Sequence, residues 1–134
     1  MPTPPATDPR FGQVLELLAL YYDALYRGDS KDLALVFHPE AHYFCASTGE
    51  LLHLDMGQYF VIVDDRRSPE ENGESYRYQV DSIEFAGPMS AFVRLRCRML
   101  HRDYTDLLSL VQVGDAWQIV SKVFHYETVE SEED

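Results

Sequence analysis

The segment Tyr104–Phe124, YTDLLSLVQVGDAWQIVSKVF, decides the fold class of this chain. Apolar side chains recur at every second position on both sides of Gly114-Asp115, and such a pair is typical of a tight turn between antiparallel strands. We therefore predict a hairpin whose strands are Tyr104–Val113 and Ala116–Glu127. Strands of this length twist strongly, so the hairpin favours a curved sheet.

The same period of two extends upstream of this hairpin and predicts two further long strands, Tyr76–Phe85 and Ser90–Arg102. A shorter hairpin is predicted from Ala41–Thr48, Gly49 and Leu51–Leu54. The sheet is therefore expected to be mainly antiparallel, because most of its strands follow one another through short turns.

The N-terminal half contains apolar residues at helical spacing and predicts three helices. The first is capped by Asp8 and ends near Gly28, and the second begins at Asp29 or Ser30 and is stopped by Pro39. The third is capped by Asp55. Residues 64–75 are charged and contain proline and glycine, which predicts an exposed loop.

The chain has 134 residues, of which 11 are Lys or Arg and 23 are Asp or Glu, giving a formal charge of −12. This acidic balance argues against nucleic acid and anionic membrane surfaces as partners. We predict a disordered arm over residues 1–8, one domain over residues 9–127 and an acidic tail over residues 128–134. A signal peptide and a membrane-spanning run are not indicated, so the expected location is the cytoplasm.

Three segments resemble the nuclear transport factor 2-like superfamily, which includes ketosteroid isomerase and the SnoaL-type cyclases. They are YDALYRGD at residues 22–29, LVFHPEA at residues 35–41 and the hairpin of Tyr104–Phe124. The hairpin is particularly similar to the lumazine-binding branch of that superfamily. The resemblance implies an α+β fold, in which three N-terminal helices pack on a strongly curved, mainly antiparallel sheet to form a cystatin-like cone. It also implies a ligand cavity and a homodimer.

The resemblance does not extend to the residues that carry ketosteroid isomerase chemistry. Its oxyanion tyrosine matches Tyr21, but its general-base aspartate falls on Cys45 and its second oxyanion group falls near Ser109. That isomerisation needs a carboxylate base beside the substrate carbon and strong donors at the carbonyl. Isomerase activity of this kind is therefore not expected, and Tyr21, Ser109 and Lys122 are left as candidate catalytic residues.

The face on which each hairpin residue lies follows from the predicted pairing. Continuous pairing from Val113 and Ala116 places Ser109 opposite Val120 and Leu107 opposite Lys122. The resemblance implies that this face lines the cavity and that the other face packs against a second subunit or against another layer. The predicted cavity residues are Tyr21, Tyr43, Cys45, Tyr59, Phe60, Ser109, Lys122 and Phe124. The predicted interface residues are Asp106, Leu108, Trp117, Ile119 and His125.

Several of these residues allow two interpretations. Lys122 is either a polar anchor inside the pocket, or a side chain that extends to its rim or pairs with a structural carboxylate. Asp106 and His125 are diagonal neighbours in the predicted pairing, so they are expected to form a hydrogen-bonded pair with either a structural or a catalytic role. Cys45 and Cys97 are expected to be buried, reduced thiols, although Cys45 is also a conceivable nucleophile.

Other polar patterns predict no metal and no cofactor. His38 and His42 are four residues apart, but Pro39 prevents the continuous helix that a zinc motif needs. Arg94, Arg96 and Arg98 share one face of a predicted strand. These cations bind either an anionic ligand or acids on neighbouring strands such as Asp81 and Glu84.

The sequence supports three functional hypotheses. The first is a protein that binds a small apolar or aromatic molecule in the cone without chemistry. The second is a SnoaL-like, dehydratase-type or isomerase-type enzyme that transfers protons through Tyr21, Ser109, Lys122 and a histidine. The third is a dimeric scaffold without a ligand.

Overall fold

The computed structural model describes residues 8–129, so the predicted arm and acidic tail lie almost wholly outside the described residues. The three helices are α1 (Pro9–Arg27), α2 (Ser30–Val36) and α3 (Met56–Asp65). The six strands are β1 (Phe37–Cys45), β2 (Leu52–Asp55), β3 (Tyr78–Ala86), β4 (Ser90–Met99), β5 (Arg102–Val113) and β6 (Ala116–Thr128). Within residues 8–129, no helix is both long and apolar enough to cross a membrane.

The strands form one sheet in the order β2-β1-β6-β5-β4-β3. Every neighbouring pair is antiparallel except β1 and β6, which run parallel. The three helices pack against one face of this sheet and bury the core between them. The predicted α+β class, with helices on a mainly antiparallel sheet, is confirmed.

The predicted helix boundaries are confirmed by their caps. The side chain of Asp8 accepts a hydrogen bond from the Arg10 backbone, and α1 ends at Gly28, whose φ of 70° is in the left-handed region that favours glycine. Asp55 and Gln58 form a reciprocal capping box at the start of α3, with bonds of 2.8 and 2.9 Å.

The first strand begins four residues earlier than predicted. Phe37 follows α2 directly and already pairs with Ile119 of β6, and the register then shifts before His42. This irregular stretch contains Pro39, which has no N–H group to donate to a regular ladder. The proline therefore interrupts the pairing within a strand, as well as preventing the continuation of a helix.

The segment after α3 is less exposed than predicted. Ser68 and Pro69 are buried, and the Glu70 amide donates a 2.9 Å hydrogen bond to the carbonyl of Tyr26 near the end of α1. The expectation of an exposed loop over residues 64–75 is therefore wrong at Ser68 and Pro69, and residues 64 and 65 belong to α3. The loop packs against the C-terminal end of α1, and Arg66 at its start is partly buried.

Candidate functional site

The final hairpin contains a bulge that changes which residues face the core. Pairing follows the prediction from Val113–Ala116 to Leu110–Ile119, but Ser109 then pairs with Ser121 instead of Val120. An extra residue in one strand reverses the relation between the two faces beyond that point. Lys122 therefore lies beside Leu108 and not beside Leu107. The predicted register is wrong from Ser109 to the far end of the hairpin.

The structure assigns different roles to the two faces of the hairpin than the sequence predicted. Lys122 and Phe124 are buried beneath the helices, whereas Ser109 is half-buried on the opposite face. Four predicted interface residues lie inside the monomer and cannot form the proposed contact, namely Asp106, Leu108, Trp117 and Ile119. The indole of Trp117 even donates a 3.1 Å bond to Gln13 of α1. The homodimer itself stays a prediction.

The expected pair of Asp106 and His125 is also absent, since the bulge places the two residues on different faces. The imidazole of His125 is exposed and lies 2.7 Å from the Ser47 hydroxyl. Asp106 is 1% exposed and bonds to Tyr21 instead. The predicted hydrogen bond between Asp106 and His125 is therefore not formed.

A buried tyrosine-aspartate pair lies at the centre of the molecule. The Tyr21 hydroxyl, from α1, donates a 2.6 Å hydrogen bond to Oδ2 of Asp106 on β5. The other carboxylate oxygen, Oδ1, is buried and has no hydrogen-bond partner within residues 8–129. A carboxylate oxygen in such a position is costly to the fold, because it loses hydration without compensation. Unsatisfied buried groups of this kind are concentrated at functional sites.

Lys122 of β6 completes the polar centre from the opposite side. Its ammonium is 2% exposed and donates a 3.2 Å hydrogen bond to the Tyr59 hydroxyl of α3. The ammonium is also surrounded by rings, with centroid distances of 5.1 to 5.6 Å to Tyr21, Tyr43, Tyr59 and Phe124. Such cation–π contacts stabilise the charged form where water is excluded.

The electrostatics of the centre favour the ammonium form of Lys122 and the neutral form of Tyr21. Burial opposes the ammonium, but the attraction of Tyr59, Asp106 and Tyr43 outweighs it and raises the pKa of Lys122 above its usual range. Burial, together with the charge of Asp106, raises the pKa of Tyr21 well above its usual value. Near neutral pH, Lys122 is therefore an ammonium and Tyr21 is a hydrogen-bond donor.

A pocket of about 340 Å³ opens beside this centre, between the β1–β2 hairpin and the end of β6. Tyr43 and Phe124 line it and also contact the Lys122 ammonium, so the pocket and the polar centre share a wall. Cys45 lines the pocket as well, and Arg102 lies at its edge. Three of the eight predicted cavity residues thus line the pocket, namely Tyr43, Cys45 and Phe124.

The remaining predicted cavity residues are distributed more widely. Tyr21, Tyr59 and Lys122 form the polar centre behind the pocket wall, and Phe60 packs against Phe37. Ser109 lies outside on the other face of the sheet. Their roles in ligand binding stay predictions, although six of the eight lie in or beside one interior region.

Two residues of this region were missed by sequence reasoning. Asp106 was assigned to the interface together with Trp117 and Ile119, because the resemblance was taken to place the opposite face against the cavity. Arg66 was assigned to an exposed loop, yet its Nε and Nη2 atoms are buried. The signal that could have found Asp106 is its position two residues before Leu108 in an otherwise apolar alternating strand.

The arginine row on β4 pairs with acids, as one of its two interpretations proposed. Arg96 binds Asp81 at 2.7 Å, Arg94 lies 3.4 Å from the same carboxylate, and Arg98 binds Asp103 at 2.6 Å. Cys45 and Cys97 are both free and buried, as predicted. In the described part of the chain, no three His, Cys, Asp or Glu side chains are placed to hold a metal ion.

The family model described as "Putative lumazine-binding" matches residues 9–125. The chain is also 31% identical over 121 residues to the aldolase FrzH of a Cladobotryum species, a match that covers 89% of this chain and 93% of that protein. Both matches extend over the three helices and nearly the whole sheet.

Solved structures show the same fold at lower identity. An NTF2-like protein of unknown function from Shewanella baltica superposes with a TM-score of 0.80 at 21% identity, over 94% of this chain and 98% of its own. A second NTF2-like protein, from Silicibacter pomeroyi, superposes with a TM-score of 0.77 at 22% identity, over 90% of this chain and 98% of its own. A cystatin-like fold protein from Burkholderia xenovorans superposes with a TM-score of 0.67 at 14% identity, over 92% of this chain and 96% of its own. The chain therefore belongs to the family described as "Putative lumazine-binding", and it has the fold of these NTF2-like and cystatin-like structures.

Proposed function

We propose that this chain is an enzyme that binds a small carbonyl compound inside the cone and transfers a proton at the carbon next to the carbonyl group. The observation that carries the proposal is Oδ1 of Asp106, a buried carboxylate oxygen without a partner among residues 8–129. The bond from Tyr21 orients the carboxylate and occupies Oδ2 only. Oδ1 therefore keeps its lone pairs for a proton of the substrate.

The two buried charged groups, Asp106 and Lys122, have different roles in the proposed reaction. Oδ1 of Asp106 takes the proton, and the electron pair of the broken C–H bond moves into the carbonyl group to form an enolate. The ammonium of Lys122 and the hydroxyl of Tyr59 stabilise the negative oxygen of that enolate. Return of the proton, to the same carbon or to another, completes an exchange or an isomerisation.

Lys122 acts in this proposal through its charge and not as a nucleophile. A lysine forms an imine with a carbonyl group only when its amine is neutral. The raised pKa of Lys122 leaves it protonated near neutral pH. Electrostatic stabilisation of an enolate is the chemistry that this environment favours.

The relative from Cladobotryum supports the enzymatic hypothesis. An aldol reaction begins by removing a proton next to a carbonyl group, which is the step assigned here to Asp106. The match includes 121 aligned residues at 31% identity. The natural substrate determines whether the enolate then attacks a second carbonyl group.

The test uses 2-tetralone, an aromatic ketone with acidic protons next to its carbonyl group, as the probe. The protein is incubated with 2-tetralone in D₂O, and proton NMR follows the loss of the C1 signal. We expect faster exchange than in buffer and a loss of at least about 100-fold in Asp106→Asn, which keeps the shape but removes the base. Ser121→Ala, on the opposite face next to Lys122, is the matched control and should retain the wild-type rate.

A second function, ligand binding without chemistry, is favoured by the aromatic surroundings of Lys122. Four rings contact its ammonium, and Tyr104 and Tyr126 extend the same cluster to the pocket. Such a lining suits a flat aromatic ligand, and the family description names lumazine. Lumazine fluorescence in a titration with the protein measures this binding directly. Binding of lumazine or 2-tetralone without accelerated exchange would favour this function over the enzyme.

A further inference from the structure

Arg66 places an unpaired guanidinium edge inside the protein. The residue follows α3 directly, and its backbone N–H closes that helix on the carbonyl of Ile62. Its Nε and Nη2 atoms are both buried and have no hydrogen-bond partner in the part of the chain from residue 8 to residue 129. A buried charged donor without an acceptor is costly to the fold. The arrangement therefore indicates an acceptor that residues 8–129 do not themselves supply.

Other arginines of the same chain show what this edge binds. Arg96 holds Asp81 through Nε at 2.7 Å and Nη2 at 3.1 Å. Arg98 holds Asp103 through the same two atoms at 2.6 and 3.1 Å. The two N–H groups on this side of a guanidinium are parallel and match the two oxygens of a carboxylate. The unpaired edge of Arg66 has the same pair of donors.

The charge of Arg66 lies close to the pocket and to the polar centre. Burial raises the pKa of Tyr43 to about 12, and the positive charges of Lys122 and Arg66 both oppose this rise. The same two cations oppose the rise at Tyr104. The charges of Arg66, the residue after α3, and of Lys122 on β6 therefore act on the same two tyrosines. One of these tyrosines, Tyr43, lines the 340 Å³ pocket.

We propose that the Nε–Nη2 edge of Arg66 is a carboxylate-binding subsite, so that the ligand of this protein is an anionic carbonyl compound with an apolar or aromatic body. This proposal rests on the proposed function for the carbonyl group and adds the carboxylate. The carboxylate accepts two parallel hydrogen bonds from Arg66, and the aromatic rings of the pocket pack against the body of the ligand. The carbonyl group then points towards Lys122 and Asp106.

Because the chain is negatively charged overall, an anionic ligand must be bound by short-range contacts in the site. A formal charge of −12 repels anions at long range, so general attraction does not account for their binding. Arg102 nevertheless lines the pocket, and the positive charges of Arg66 and Lys122 act on Tyr43, which lines it as well. Short-range, charge-assisted bonds in a water-poor site outweigh screened long-range repulsion.

The test compares 1-naphthoate with 1-naphthamide, two ligands of nearly equal shape that differ in charge. Isothermal titration calorimetry measures the dissociation constant of each for the wild-type protein, Arg66→Gln and Arg67→Gln. Arg67 is the matched control, because it is the adjacent residue, is exposed and bonds to the backbone of Glu71. We expect the wild-type protein and Arg67→Gln to prefer naphthoate by about tenfold or more, and Arg66→Gln to lose the preference.

Equal affinities in the wild-type protein, retention of the preference in Arg66→Gln, or binding of neither probe would each overturn the subsite. Equal affinities in the wild-type protein overturn the subsite even when a variant does not fold. Proton exchange of 2-tetralone, which has no carboxylate, tests Asp106 independently. The subsite can therefore fail while the proposed enzymatic function stands, and the reverse outcome is equally visible.

Discussion

Tyr21 and Asp106, 85 residues apart in the sequence, are joined in the interior by a 2.6 Å hydrogen bond from the phenol to Oδ2 of the carboxylate. The bond connects α1 to β5 through the centre of the cone. It satisfies one carboxylate oxygen and leaves the other free of protein partners among the described residues. The pair is therefore both a structural link and the means by which the proposed base is oriented.

Tyr21→Phe should destabilise the protein by about 1–3 kcal/mol, because it removes the donor from a buried carboxylate. The ring remains and can still pack against Phe37, so the loss of stability measures the contribution of the hydroxyl group. Urea denaturation at pH 7 measures the change in the free energy of unfolding. Tyr76→Phe, at a residue 48% exposed, is the control and should change it by less than about 0.5 kcal/mol. Equal effects of the two variants would contradict the role assigned to the bond.

Lys122 and Asp106 should depend on each other for their contribution to stability. Lys122→Met leaves the buried carboxylate without its nearby positive charge and should cost about 3–5 kcal/mol. Asp106→Asn removes the charge that Lys122 would otherwise leave uncompensated. The double variant should therefore lose clearly less stability than the sum of the two single variants. Additive losses in chemical denaturation would show that the two charges do not interact.

The corrected register predicts opposite outcomes for two adjacent leucines. Leu108 is fully buried under the helices, so Leu108→Ala should cost about 2–5 kcal/mol. Leu107 is half-buried on the outer face, and Leu107→Ala should cost less than about 1.5 kcal/mol. Thermal unfolding of the two variants at the same low concentration measures the difference. A larger loss of stability in Leu107→Ala than in Leu108→Ala would contradict this assignment of the two faces.

The buried tyrosines predict a loss of stability at high pH. Burial raises the pKa of both Tyr22 and Tyr43 to about 12, whereas a tyrosine of the unfolded chain titrates near about 10. The folded state holds these protons more tightly, so their stabilising contribution is complete below about pH 10 and is lost as the pH rises towards 12. Urea midpoints across this range measure the effect. Tyr43→Phe should make the decline shallower, and an unchanged slope would exclude Tyr43 as a contributor.

The helices and strands could be predicted because local residues determine them. Asp8, Gly28 and Asp55 mark helix ends through their own side chains or backbone freedom, and the structure places caps at all three. The hairpin turn at Gly114 also follows from local chemistry. These features need no knowledge of what packs against them.

The site could be predicted only in part because its geometry depends on pairing between distant strands. Val120 and Ser121 read as ordinary strand residues, yet the bulge there brings Lys122 and Phe124 to the same face as Asp106, opposite to Ser109. Arg66 follows the same principle, since its burial depends on a loop packing against α1. Tyr21 and Lys122 were found because resemblance and an isolated lysine in an apolar strand singled them out.

The position of β6 in the sheet has a consequence for how the protein folds. The last strand in the sequence lies between β1 and β5 and is parallel to the first. Without it, the ladder separates into a two-stranded piece and a three-stranded piece that share no hydrogen-bonded edge. A ribosome-bound chain therefore exposes both edges until residues 116–128 emerge, and the polar centre closes only when Lys122 arrives. Assembly of the site and completion of the sheet are then a single late event, governed by contacts that are long-range in sequence.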